Sequence, residues 1–116
     1  MTQMLFHITT GPENPTKATL GMLVAKTAAA EGHEVDVFFA GDGVDFIREE
    51  TRSAASGVGL GSAAEHWNDL VASGARMWGS GMSAKVRGVT ADGPLQLVPP
   101  PKLVELIAAA DQVIVY

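Results

Sequence analysis

The chain contains no cysteine. Disulfide scaffolding, thiolate metal sites, cysteine nucleophiles and persulfide chemistry are therefore excluded on it. No apolar run approaches the ~18 residues that a bilayer-spanning helix requires. The opening, MTQMLFHITTG, lacks the basic segment of a secretory leader, so a cytoplasmic location is expected. Positive charge is scarce as well. Eight Lys and Arg stand against thirteen Asp and Glu, a formal net charge of -5. General nucleic-acid binding needs a basic face, and anionic membranes attract one, so neither is an expected partner. The three histidines, His7, His33 and His66, show no metal-ligand spacing. No metal and no cofactor is expected.

What the chain does have is apolar material in short, punctuated runs. Its 116 residues are 47% hydrophobic and 18% charged, which suits one globular domain, residues 1–116, and not a disordered segment. A chain of this size buries roughly two-thirds of its unfolded surface, enough for a core.

MLFHI (Met4 to Ile8) reads as a buried strand that ends at Thr9-Thr10-Gly11. Asn14 suits a helix cap and Pro15 a first turn, which predicts a helix to about Glu31 with Gly32 as its stop. Leu20, Leu23, Val24 and Ala28 are the expected core stripe of that helix. EVDVFFA (Glu34 to Ala40) is a second strand ending in the turn GDG, and Val44 to Thr51 a short helix. RSAASGVGLG reads as a loop. Ser62-Ala-Ala-Glu65 is a capping box for a helix with Ala63, Trp67, Leu70 and Val71 inside and Gly74 at its end.

ARMW forms a third strand, followed by a one- or two-turn helix ending at Gly88. LQLV (Leu95 to Val98) is a fourth strand. Three prolines open a last helix, with Leu103, Leu106, Ile107 and Ala110 on one face, and QVIVY closes the chain as a fifth strand. The regular alternation implies an α/β fold of three layers, α/β/α, around a five-stranded parallel sheet. GVGLGSA (Gly57 to Ala63) fails as a dinucleotide fingerprint, because Ser62 replaces the third glycine and no strand precedes it.

Three segments resemble the DsrE/DsrF-like family of small α/β sulfur-relay proteins. They are GPENPTKATLGMLVAKTAAAEGHEVDVFFAGDGV, GARMWGSGMSAKVRGV and LQLVPPPKLVELIAAADQVIVY, and together they span most of the chain. The resemblance implies a DsrE-like fold and self-association as a homotrimer or hexamer. It also implies a place in sulfur metabolism. Sulfur-carrying members hold a reactive cysteine in the turn after the third strand, and Ser80 occupies that position here. A hydroxyl holds no persulfide, so the resemblance implies a member that recognises rather than transfers. Its expected partners are a small anionic ligand, a sulfur compound, or a thiol-bearing sulfur-relay protein.

Ligands of open parallel sheets bind beyond the carboxyl ends of the strands. The residues there give the ligand-binding candidates: Thr10, Asn14, Lys17, Asp42, Gly79, Ser80, Gly81 and Ser83. Helix N-termini on this rim favour anions, with Lys17, Lys85 and Arg87 adding charge. Each candidate also has a plain structural reading, as cap, turn or surface residue. No catalytic residue is assigned, since the G-x-S-x-G elbow of serine hydrolases is not matched. The alternative is an enzyme of unknown reaction using Ser80, His7 or Lys85. Trp67 and Trp78 are expected in the core or at a subunit interface, with Trp78 also placed to wall a pocket beside the turn.

Overall fold

The structure is a computed structural model, and residues 2–116 are described. Apolar runs become strands β1 (Gln3–Ile8), β2 (Glu34–Phe39), β5 (Arg76–Ser80), β6 (Gln96–Val98) and β7 (Gln112–Val115). They pair in parallel in the order β6-β5-β2-β1-β7. A small antiparallel hairpin of two-residue strands, β3 (Ser56–Gly57) with β4 (Gly61–Ser62), lies apart from this sheet. The helices are α1 (Pro15–Ala30), α2 (Glu49–Ala54), α3 (Ala63–Ser73), α4 (Gly81–Arg87) and α5 (Pro100–Ala109), with a 3₁₀ segment at Gly41–Ile47.

Strand order dictates the layers. From β1 the chain steps to β2, β5 and β6 in one direction, so right-handed crossovers put α1, α3 and α4 on one face. The last step returns across the sheet to β7, which puts α5 on the other face. The packing agrees. Phe6, Ile8, Val37, Phe39 and Met77 share a core with Ala18, Met22, Leu70 and Ala84, whereas Leu5 and Phe38 pack on Leu106 of α5. Each fully buried side chain of the Phe or Leu class contributes about 1.5–3 kcal/mol, so the first face dominates. The expected three-layer α/β/α fold around a five-stranded parallel sheet is therefore present, with one thick layer and one thin one.

Several boundaries differ from the sequence reading. The expected stripe of α1 is displaced: Leu20 and Val24 are each 36% exposed, and the buried residues are Ala18, Thr19, Gly21, Met22, Ala25 and Ala28. Small side chains let α1 lie close to the sheet, and the larger leucines are pushed to its flanks. Val71 is likewise exposed on α3, and Ile107 on α5. The expected helix Val44 to Thr51 is broken at Arg48, whose extended backbone separates the 3₁₀ segment from α2. Arg52, Ser53 and Ala54 belong to that helix instead of a loop, and the remainder of the expected loop pairs as the hairpin. The third strand runs beyond Trp78 to Ser80, which brings Ser80 to the strand's carboxyl end.

Candidate functional site

The rim is built first from backbone. A Cβ on Gly43 would stand 2.3 Å from the carbonyl oxygen of Ile8, and one on Gly11 would stand 2.3 Å from that of Asp42. Only glycine allows main chains to approach this closely. The loops after β1 and β2 are thus locked together. The carboxyl end of β7 joins them, because the Tyr116 carbonyl accepts from the Thr9 N–H at 2.8 Å and from its hydroxyl at 2.9 Å.

Side chains then tie this rim to the turn after β5. Ser80 caps α4: its Oγ accepts from the Ser83 N–H at 3.2 Å. The Ser83 Oγ in turn accepts from the Gly41 N–H at 3.0 Å. Arg87 donates to Asp42 Oδ1 at 2.8 Å and to the Ser83 carbonyl at 3.4 Å, and Arg48 donates to the Arg87 carbonyl. Six residues from two distant stretches of the chain, Gly41, Asp42 and Arg48 with Ser80, Ser83 and Arg87, therefore form one connected polar cluster.

Of the sequence candidates, Ser80 and Ser83 are hydrogen-bonded to each other and Asp42 joins them through Arg87, with Gly79 and Gly81 flanking Ser80 on the backbone. Thr10 is buried beside Gly11. Asn14 and Lys17 are joined to each other, the Asn14 Oδ1 accepting from the Lys17 N–H at 3.2 Å, and neither has a hydrogen bond to the Ser80 turn among the described residues. Arg48 and Glu13 escaped the sequence reading, and Arg87 entered it only as added charge. Nothing in local periodicity marks them, since their partners lie in other segments.

Three N–H groups of the rim, those of Gly11, Gly41 and Ser83, already have side-chain oxygens. The Glu13 carboxylate accepts from the Gly11 N–H at 2.9 and 3.2 Å, and Ser80 and Ser83 supply the other two. An anion aimed at any of these three groups would have to displace one of these side chains.

His7 lies away from the turn. The registers align Val115, His7, Phe38 and Trp78 in one row, and Ser80 stands two strands and two residues from His7. Sheet spacing makes that roughly 12 Å between Cα positions, beyond direct proton transfer. Burial lowers the His7 pKa, and its Nε2 has no hydrogen-bond partner. Trp78 is held by its indole N–H, which donates to the buried carboxylate of Asp36 at 2.9 Å. Arg76 grips the same carboxylate through two N–H groups, at 2.7 and 2.9 Å, and this hydrogen bonding raises the Arg76 pKa further.

Fold and rim together define a small open-sheet α/β protein whose Ser80 hydroxyl serves as a helix cap. A profile of the DsrE/DsrF-like family matches residues 3–116, and the chain belongs to that family. Among solved structures it is similar to the crystal structure of the ychN protein from E. coli, with a TM-score of 0.83, 14% identity and 100% of each chain covered. At that identity the likeness concerns the fold. No curated protein matches the sequence. No helix among the described residues is long and apolar enough to cross a membrane.

Proposed function

We propose that this chain is a non-catalytic, self-associating DsrE-like protein of the cytoplasm, serving sulfur metabolism by recognition at the rim around Ser80. The occupant is a small anion, a sulfur compound or the thiol-bearing face of a relay protein. The observation that carries the reading is the use of Ser80. Its hydroxyl accepts a hydrogen bond from Ser83, and no histidine or carboxylate is hydrogen-bonded to it among the described residues. Activation of a serine nucleophile needs such a base. The absence of cysteine removes the sulfur-transfer route altogether.

Thermal-shift titrations with phosphate, sulfate, thiosulfate and nucleotides test the ligand half. One of them should raise the melting temperature of the native protein and fail to do so in Ser80→Trp, whose bulk fills the rim. Silence from every anion, with Ser80→Trp also indifferent to thiol-bearing relay proteins, overturns the reading. Turnover of any substrate that disappears in Ser80→Ala while the fold survives would replace it with the enzymatic alternative.

A further inference from the structure

Helix α4 carries an apolar ridge on its outer side. Met82 and Val86 stand one turn apart and are 66% and 84% exposed, with Lys85 exposed beside them. Single exposed apolar residues are ordinary, but adjacent ones on one short helix make a contact surface. The one charge on α4 outside an ion pair among the described residues is positive, that of Lys85. From Leu70 to Ala91 the chain contains Arg76, Lys85 and Arg87 and no acidic residue, although the net charge of the whole is -5. Arg76 and Arg87 are paired with Asp36 and Asp42, whereas Lys85 joins no ion pair among the described residues.

The complement lies elsewhere on the same chain. A groove of about 570 Å³ runs between the first turn of α1 and α2, with Pro12, Pro15, Ala54 and Ala55 as apolar walls. That volume is in the range of clefts that take a ligand-sized group. Glu50 stands on its edge, exposed and in no ion pair among the described residues. Met82 and Val86 are exposed within one chain, so they do not fill the groove of their own chain.

We propose that the α4 ridge of one copy seats in the α1–α2 groove of a second copy, with Lys85 facing Glu50. Apolar and charge complementarity both occur within one sequence, which favours a second copy over an unrelated partner. The contact is heterologous, joining different patches on the two copies. It generates a ring when the rotation closes. The proposal rests on the reading that the chain self-associates, and it adds the surfaces that do so.

Light scattering across a concentration series, on native protein, Lys85→Glu, Glu50→Lys and the double charge swap, tests it. Both substituted positions are exposed, and circular dichroism checks that each variant folds. Native protein should assemble. Each single substitution places like charges together and should move the assembly midpoint to about tenfold higher concentration or more. The double swap should restore it. A native assembly indifferent to both single substitutions overturns this interface and leaves self-association standing. Single-variant losses that the double swap does not repair overturn the Lys85–Glu50 pairing. A native monomer throughout overturns both the interface and the self-association reading.

Discussion

His7 illustrates how one residue's surroundings set its chemistry. It sits one residue before the end of β1, edge-on to the Phe38 ring at 5.7 Å, with Nε2 buried and unpartnered. Burial disfavours the imidazolium, so the folded pKa lies below the ordinary 6.5. Below that ordinary value the unfolded chain takes up the proton more readily than the folded one. Stability associated with His7 is therefore fully present above about pH 6.5 and is lost as pH falls from there through the folded pKa. Urea midpoints of native protein and His7→Phe, measured from pH 8 to pH 5, should diverge in this sense. The native midpoint falls more steeply below pH 6.5, and the difference between the two is flat above it. A constant difference across the range would mean that His7 titrates alike in both states.

At the level of elements, the join between the 3₁₀ segment and α2 depends on Arg52. Its guanidinium is 4.0 Å from the Trp67 ring centroid and donates to the carbonyls of Phe46 at 3.0 Å and Ile47 at 2.7 Å. It also pairs with Asp92 at 2.6 Å. The broken helix leaves those carbonyls unfilled, and an arginine fork reaches both. Arg52→Leu keeps an apolar stem against Trp67 but strips the carbonyls of their donor inside the protein. Denaturant unfolding should show a loss of about 2–3 kcal/mol. Glu49→Gln, an exposed neighbour, should stay within about 0.5 kcal/mol. A neutral Arg52→Leu would show that water serves those carbonyls equally well.

The same element marks the limit of what the sequence discloses. Caps and stops are local chemistry and read correctly: Asn14 caps α1, Ser62 accepts from the Glu65 N–H, and Gly74 and Gly88 close their helices in left-handed conformation. Arg52 reads as a loop residue because its four partners, Phe46, Ile47, Trp67 and Asp92, all lie outside α2. The expected stripe of α1 holds at Ala28 and fails at Leu20 and Val24, because hydrophobicity favours leucine and valine, while close helix-to-sheet packing favours alanine and glycine. At the rim, glycines and serines marked the turns. The Asp42–Arg87 and Ser83–Gly41 links depend on strand order, which one sequence does not reveal.

For the molecule as a whole, strand order creates two unequal halves. Three helices and the 3₁₀ segment cover one face, while α5 alone covers the other and buries one of its own side chains, Leu106, which stays 8% exposed. Leu103 and Ala110 are half-buried there, and Lys102 lies 4.9 Å from the centroid of the Trp78 ring. So little burial holds α5 less firmly than α1 or the central strands. Cooperative units of low local stability open below the global unfolding free energy. Native-state hydrogen exchange should place the α5 amides in such a unit, with a small dependence on added denaturant. The α1, β1 and β2 amides should share the global free energy and its steep dependence. Opening of α5 would uncover Leu5 and Phe38 and leave the larger core intact. If α5 amides exchanged with the free energy and denaturant slope of β2, the two layers would unfold as one, and thin coverage would carry no dynamic consequence.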